Sequence, residues 1–138
     1  MSKLLNGVNV EQLVGTINAI KSDPSIADFK FNATTTWVNG GHCRTKIQSF
    51  TGANAEDTSR KEPFIIEGDE PPVLLGENHG INAVESLLHA IGSCLSVGIV
   101  YNAAVREINI KSLKIDQFQS IGFTFFNQLK NILVTFEI

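Results

Sequence analysis

Apolar positions recur at helical spacing in two stretches of this chain and at strand spacing around them. Val10, Leu13, Val14, Ile17 and Ile20 form one stripe behind Asn9, whose short polar side chain suits a helix N-cap. The helix so predicted runs to about Ser22, since Pro24 cannot continue it. Phe29, Phe31, Ala33, Thr35 and Trp37 then alternate with polar residues, the period of a half-buried strand rich in β-formers. Asn39-Gly40-Gly41 predicts a hairpin turn, and residues 42–50 the returning strand. Residues 52–60 read as a polar loop, 63–67 as a short strand and 68–72 as an extended stop.

The second helical stretch lies between Glu85 and Arg106 and carries no formal charge. Asn82, followed three residues later by Glu85, resembles a capping box, and the helix should reach about Ala104. Residues 86–105 are long enough to span a bilayer, but His89, Ser93, Ser96 and Asn102 interrupt them, with no aromatic belts and no basic flank of one sign. A helix that is apolar nearly all round is expected instead to be a central one, buried on every side. Residues 108–115 predict a strand with a bulge near Ser112, because Ile108 and Ile110 fall out of phase with Leu113 and Ile115. Residues 130–138 predict a last strand. Two helices among hairpin-linked strands, with no repeat and no linker, define an α+β class with antiparallel sheets in one domain spanning 1–138.

Composition narrows the class. A chain of 138 residues can bury roughly two-thirds of its unfolded surface, and 43% hydrophobic with 18% charged residues is the balance of a soluble globular protein. The net charge of −3, without a lysine or arginine cluster, argues against nucleic-acid and anionic-membrane partners. No basic segment followed by an apolar run precedes residue 30, so no secretory signal is expected, and the Asn32-Ala33-Thr34 sequon is discounted with it. Two cysteines without a CxxC pair do not make a secreted disulfide framework, so a reducing cytoplasm is expected. His42, Cys43 and His79 lack a metal-ligand spacing, and no metal or bound cofactor is expected.

The candidate chemistry centres on Cys94, which sits mid-way along the uncharged helix among Gly92, Ser93, Ser96 and Gly98. Small neighbours let a substrate or another backbone approach closely. A thiol becomes nucleophilic as thiolate, which needs nearby positive charge or donors. The helix carries no cation around Cys94, and a mid-helix thiol gains little from the helix dipole. Activation must come from another element. Arg44 and Lys46 share a face of the second hairpin strand, with Arg60 in the following loop; Arg44 is favoured because its guanidinium is always charged and can serve a thiolate and a bound oxygen together. The alternative is that Arg44 and Lys46 form the solvated face of a strand. Glu85 either holds such an arginine or simply caps the helix. His89 falls on a different side of the helix from Cys94 and reads as an interior or interface histidine. Cys43 is the possible resolving thiol, but strand alternation sets it on the face opposite Arg44, so the two roles compete unless the strand bulges.

The run from Asp69 through Ile110, DEPPVLLGENHGINAVESLLHAIGSCLSVGIVYNAAVREINI, together with WVNGGHCRTKIQSFTG upstream, resembles the OsmC-like family, related to the organic hydroperoxide resistance proteins. The resemblance covers residues 5–115, and its most specific part is N-x-V-E-x-L-L-x-A-x-x-x-C on the central helix. It implies an intertwined homodimer, with antiparallel sheets from both chains around two long central helices. Peroxidatic members reduce organic hydroperoxides with a thiol matching Cys94. An arginine from the other subunit assists, for which Arg44 is the matching residue, a second cysteine resolves the sulfenate, and dithiols such as lipoylated proteins regenerate the thiol. This chain departs from the peroxidatic branch at Val84, where that branch has a glutamate; the acid here is one step later, at Glu85. The chain also stops at Ile138, before the family's second long helix and its resolving cysteine, and residues 116–130 are short and aromatic (Phe118, Phe123, Phe125, Phe126). A shortened C-terminus removes a layer of core and makes assembly with a second chain the expectation.

The reading that follows is a cytoplasmic thiol peroxidase in which Cys94 attacks the peroxide, Arg44 stabilises the thiolate and the leaving alkoxide, and phenylalanines line an apolar pocket for a small apolar hydroperoxide. With one useful cysteine, an external thiol or dithiol reductant is implied. The alternative is a non-catalytic OsmC-like binding or scaffold protein, with Cys94 mostly packing. A third reading is a truncated relative without activity of its own.

Overall fold

A computed structural model describes residues 4–119 and 132–138. The chain divides into two compact units, Met1–Thr16 with Val84–Ile138, and Ile17–Ala83.

The first unit opens with a hairpin, β1 (Leu4–Leu5) paired with β2 (Val8–Asn9). Asn6 and Gly7 both adopt positive φ, 53° and 77°, the geometry of a two-residue type I′ turn, so the Asn-Gly pair marks a hairpin that the apolar pattern alone does not reveal. Asn6 does more than turn the chain. Its Nδ2 donates to the Ile108 carbonyl and its Oδ1 accepts from the Ile110 N–H, each at 2.9 Å. Those bonds replace a sheet ladder, so residues 108–110 are not strand. The expected bulge at Ser112 is instead the start of β9 (Ser112–Gln117), which pairs antiparallel with β10 (Ile132–Glu137). Helix α1 (Val10–Ser22) begins as predicted, with Asn9 Oδ1 accepting from Gln12 N at 3.1 Å.

Helix α2 (Ala83–Val105) matches the second predicted helix closely. Its expected burial on every side is not found: Ala103 and Ala104 are buried, whereas Leu87, Val97 and Tyr101 are 49%, 51% and 46% exposed. Ser96 and Asn102 satisfy their side chains on carbonyls one turn back, Gly92 O and Gly98 O, which lets an apolar helix carry them without outside partners. Among the described residues, α2 is also long and apolar enough to cross a membrane by length and composition.

The second unit holds two three-stranded antiparallel sheets. One has the order β4 (Thr34–Asn39), β5 (His42–Ile47), β8 (Phe64–Gly68), and the other β3 (Lys30–Phe31), β6 (Phe50–Gly52), β7 (Ala55–Asp57). The single half-buried strand expected from residue 29 onwards is therefore two strands in different sheets, parted at residues 32–33, and β4 is exposed throughout. The returning strand likewise divides into β5 and β6. The expected polar loop at 52–60 contains β7, turned back on β6 through Ala53 and Asn54 at φ 50° and 62°. Phe29, Phe31 and Phe50 stack, with centroids 5.0 to 6.4 Å apart, and the Arg60 guanidinium lies 5.2 Å from the centroids of both Phe50 and Phe64.

The observed class is α+β with antiparallel sheets. Among the described residues, only Gly52, Asp69, Ala103 and Ala104 are buried.

Candidate functional site

Cys94 is exposed, near the middle of α2, and its exposure follows a pattern. Leu87, Ala90, Cys94, Val97, Tyr101 and Val105 all face solvent and recur at steps of three or four, the kind of seam by which one helix packs on another. The thiol thus lies mid-seam on an apolar surface. Gly98, one turn on, has open space where a side chain would be.

Arg44 projects from the middle of β5, opposite Glu67 of β8 in the sheet register. Cross-strand neighbours on one face stand close enough for their side chains to meet, and here they do: Arg44 Nε donates to Glu67 Oε1 at 2.6 Å. His42, two residues earlier and so on the same face, donates from Nε2 to Glu67 Oε2 at 2.8 Å. Those two donors, His42 first and Arg44 second, hold the Glu67 carboxyl below its ordinary value. Glu67 is then an anion, which assigns the Nε2–H tautomer to His42.

A second imidazole continues the array. His79 stacks on His42 with centroids 4.5 Å apart and planes 9° from parallel, and its Nδ1 donates to Asp69 Oδ2 at 2.8 Å. Asp69 is buried, yet its carboxyl is held well below the usual carboxylate range, because the His79 bond and the backbone N–H groups of His79, Glu70 and Glu77 outweigh the cost of desolvation. The chain 69–80 thereby folds around one carboxylate. Two glycines permit its approach to the sheet: a Cβ at Gly80 would collide with the Glu67 carbonyl, and one at Gly76 with the Glu70 backbone. Beside the stacked rings lies a cavity of about 240 Å³ lined by Gly40, Gly41, His42, Asp69, Glu77 and His79. Among the described residues, no group of three or more His, Cys, Asp or Glu is placed to hold a metal ion. The two imidazole planes, nearly parallel, do not converge on one point as metal ligands must.

The expected site residues fall as follows. Arg44 is exposed and has a carboxylate partner in Glu67; Glu85, the alternative holder of that arginine, lies in the first turn of α2, where the capping role was the other reading. Cys43 is half-buried on the opposite face of β5, level with Gly68, where its Sγ lies 3.0 Å from the position a Cβ would take. Arg44 and Cys94 belong to different units of the chain. Of the aromatic residues expected to line a pocket, Phe118 is exposed, and Phe123, Phe125 and Phe126 lie outside the described residues. Sequence reasoning missed Glu67, His42, Asp69 and His79. The available signal was the two-residue spacing of His42 and Arg44 on one strand; Glu67, on the neighbouring strand, and Asp69, just after it, carry no local mark of their partners.

No protein-family model matches the chain, and no curated protein matches it.

Proposed function

We propose that the chain is an OsmC-like thiol peroxidase, a homodimer that reduces small apolar organic hydroperoxides at Cys94, with the partner's Arg44 as the cation. One observation carries this reading: an exposed thiol in the middle of an apolar helical seam. Apolar surface of that extent is covered in a stable protein, and a second copy of the same seam is the simplest cover. Cys94 then lies at the junction, where a basic side chain from the other copy supplies what α2 lacks. Arg44, exposed and oriented by Glu67, is such a side chain.

The chemistry needs one thiolate and one guanidinium. The Cys94 thiolate attacks the terminal peroxide oxygen, an S–O bond forms as the O–O bond breaks, and the departing alkoxide takes a proton to leave as an alcohol. Arg44 stabilises the thiolate beforehand and the alkoxide during bond breaking. The sulfenic acid condenses with an external thiol, releasing water, and the second thiol of a dithiol frees Cys94 as the reductant becomes a disulfide. This chemistry suits a reducing cytoplasm and requires no bound cofactor. Consumption of tert-butyl or cumene hydroperoxide with a dithiol reductant tests it. Turnover by wild type and its loss in Cys94→Ser are expected; equal turnover by the two ends the proposal.

A second reading, a non-catalytic binding or scaffold protein, is favoured by the 2.6 Å bond that already commits Arg44 to Glu67. On that reading Cys94 alkylates only as an ordinary thiol does, at about pH 8.5 and above, whereas alkylation persisting below about pH 6.5 supports the peroxidase.

A further inference from the structure

Glu67 serves two donors of different kinds. Arg44 keeps its charge at any pH a protein meets, while His42 belongs to the one residue type that ordinarily changes charge between about pH 5 and 8. With His42 neutral, the carboxylate answers Arg44 alone and the trio is electrically balanced. With His42 protonated, the same carboxylate is shared between two cations and the trio carries net positive charge. We infer that His42 and Glu67 are positioning residues that regulate Arg44: Glu67 fixes the guanidinium, and proton uptake by His42 draws on Glu67 and raises the positive charge that Arg44 presents to a thiolate or other anion. The functional consequence rests on the reading of Arg44 as the cation that serves Cys94.

The groups that bear on His42 are Glu67 from β8, Arg44 through Glu67 from its own strand, and His79, Asp69, Glu77 and Glu70 from the 69–80 segment. Carboxylates outnumber the permanent cation among them. His79 sets a limit, because two cationic rings stacked 4.5 Å apart would repel. Asp69 fixes His79 through Nδ1, which keeps the second ring in the stack rather than free to swing away. A carboxylate bridging one permanent and one switchable cation makes His42 the control on Arg44.

The test is an NMR titration of the full-length protein between about pH 8 and 5, following the His42 ring protons and the Arg44 Nε–H resonance. In wild type the Arg44 resonance is expected to move through the same inflection as His42. In His42→Gln, whose amide still donates to Glu67 but takes up no proton, that inflection is lost. Glu67→Gln, which keeps both cations and removes the bridge, uncouples the two signals and stands in if His42→Gln does not fold. An Arg44 inflection that survives in either variant overturns the inference, as does a His42 that does not titrate in this range or titrates while Arg44 stays still. Hydroperoxide turnover supplies the functional arm: the ratio of wild-type to His42→Gln rates is expected to grow as pH falls, and a ratio constant with pH counts against the regulation. Turnover by Cys94→Ser equal to wild type removes the peroxidase reading and leaves the NMR result to decide the coupling.

Discussion

Asp69 shows how one side chain sets the shape of a whole segment. Its Oδ1 accepts the Glu70 N–H, and its Oδ2 accepts the N–H groups of Glu77 and His79 together with the His79 ring, at 2.8 to 3.2 Å. Asp69→Ala leaves these backbone donors without their acceptor, and unsatisfied donors are costly wherever water does not reach them. The expected result is a Tm lowered by several degrees with the His42–His79 stack lost, read by thermal unfolding and by the His ring resonances. The same carboxylate sets the acid response. Asp69 and Glu67 are both held below their ordinary values of 3.8 and 4.5, so the folded state binds these protons less tightly than the unfolded chain. Their contribution is complete above those values and is lost as pH falls below them, towards the depressed folded-state values. Urea unfolding at a series of pH values should show stability declining from about pH 4.5 downward, with a shallower decline in Glu67→Gln. An acid limb of equal slope in that variant assigns the loss to other carboxylates.

The elements were legible wherever periodicity was local. Asn9 with the apolar stripe behind it marked α1, and the uncharged run marked α2 to within a residue or so at its ends. The β-strands were harder, because a strand's identity lies in its partner. The alternation from Phe29 to Trp37 is continuous in sequence, yet Phe31 pairs with Phe50 in one sheet and Thr36 with Arg44 in another. The candidate site suffered for the same reason. Arg44 was readable as a cation on a strand face, but its acid comes from β8, and the register Arg44↔Glu67 has no local signature. Asp69 and His79 meet only because Gly76 and Gly80 let the intervening chain lie against the backbone of residues 67–70. Gly80→Ala therefore probes an element contact rather than a side chain. The added methyl must displace the Glu67 carbonyl, a backbone atom that cannot rotate away, so a loss of about 1–3 kcal/mol in urea unfolding is expected. Gly15→Ala provides the contrast: it lies in α1 with open space around its Cβ position, and helix propensity alone predicts a gain of about 0.5–1 kcal/mol. A Gly80→Ala protein as stable as wild type means that the 69–80 segment is not held against β8 as described.

At the scale of the whole molecule, the governing fact is that α2 is apolar, long and uncovered along the seam that bears Cys94. Water, lipid and another protein surface, a second helix among them, are the surroundings open to such a face. Water is the costliest, since each buried methylene is worth about 0.8 kcal/mol and the seam carries Leu87, Val97, Tyr101 and Val105 in the open. Lipid suits the composition, but the seam differs from a lipid-facing surface: it is a stripe repeating at three and four, with Ala90, Cys94 and Gly98 small enough to admit a close neighbour, as helix–helix contacts require. The proposed second copy would account for both the apolarity and the spacing, and would place two thiols in one interface. Sedimentation equilibrium without detergent should then return twice the 15.1 kDa chain mass. Val97→Lys puts a charge into the middle of the seam, one turn from Cys94, and should yield monomer with hydroperoxide turnover lost, although neither the thiol nor Arg44 has been touched. A wild-type chain that is monomeric at micromolar concentration, or a Val97→Lys protein that still sediments as a dimer, overturns the proposed seam interface and with it the proposed route by which the partner's Arg44 reaches the thiol.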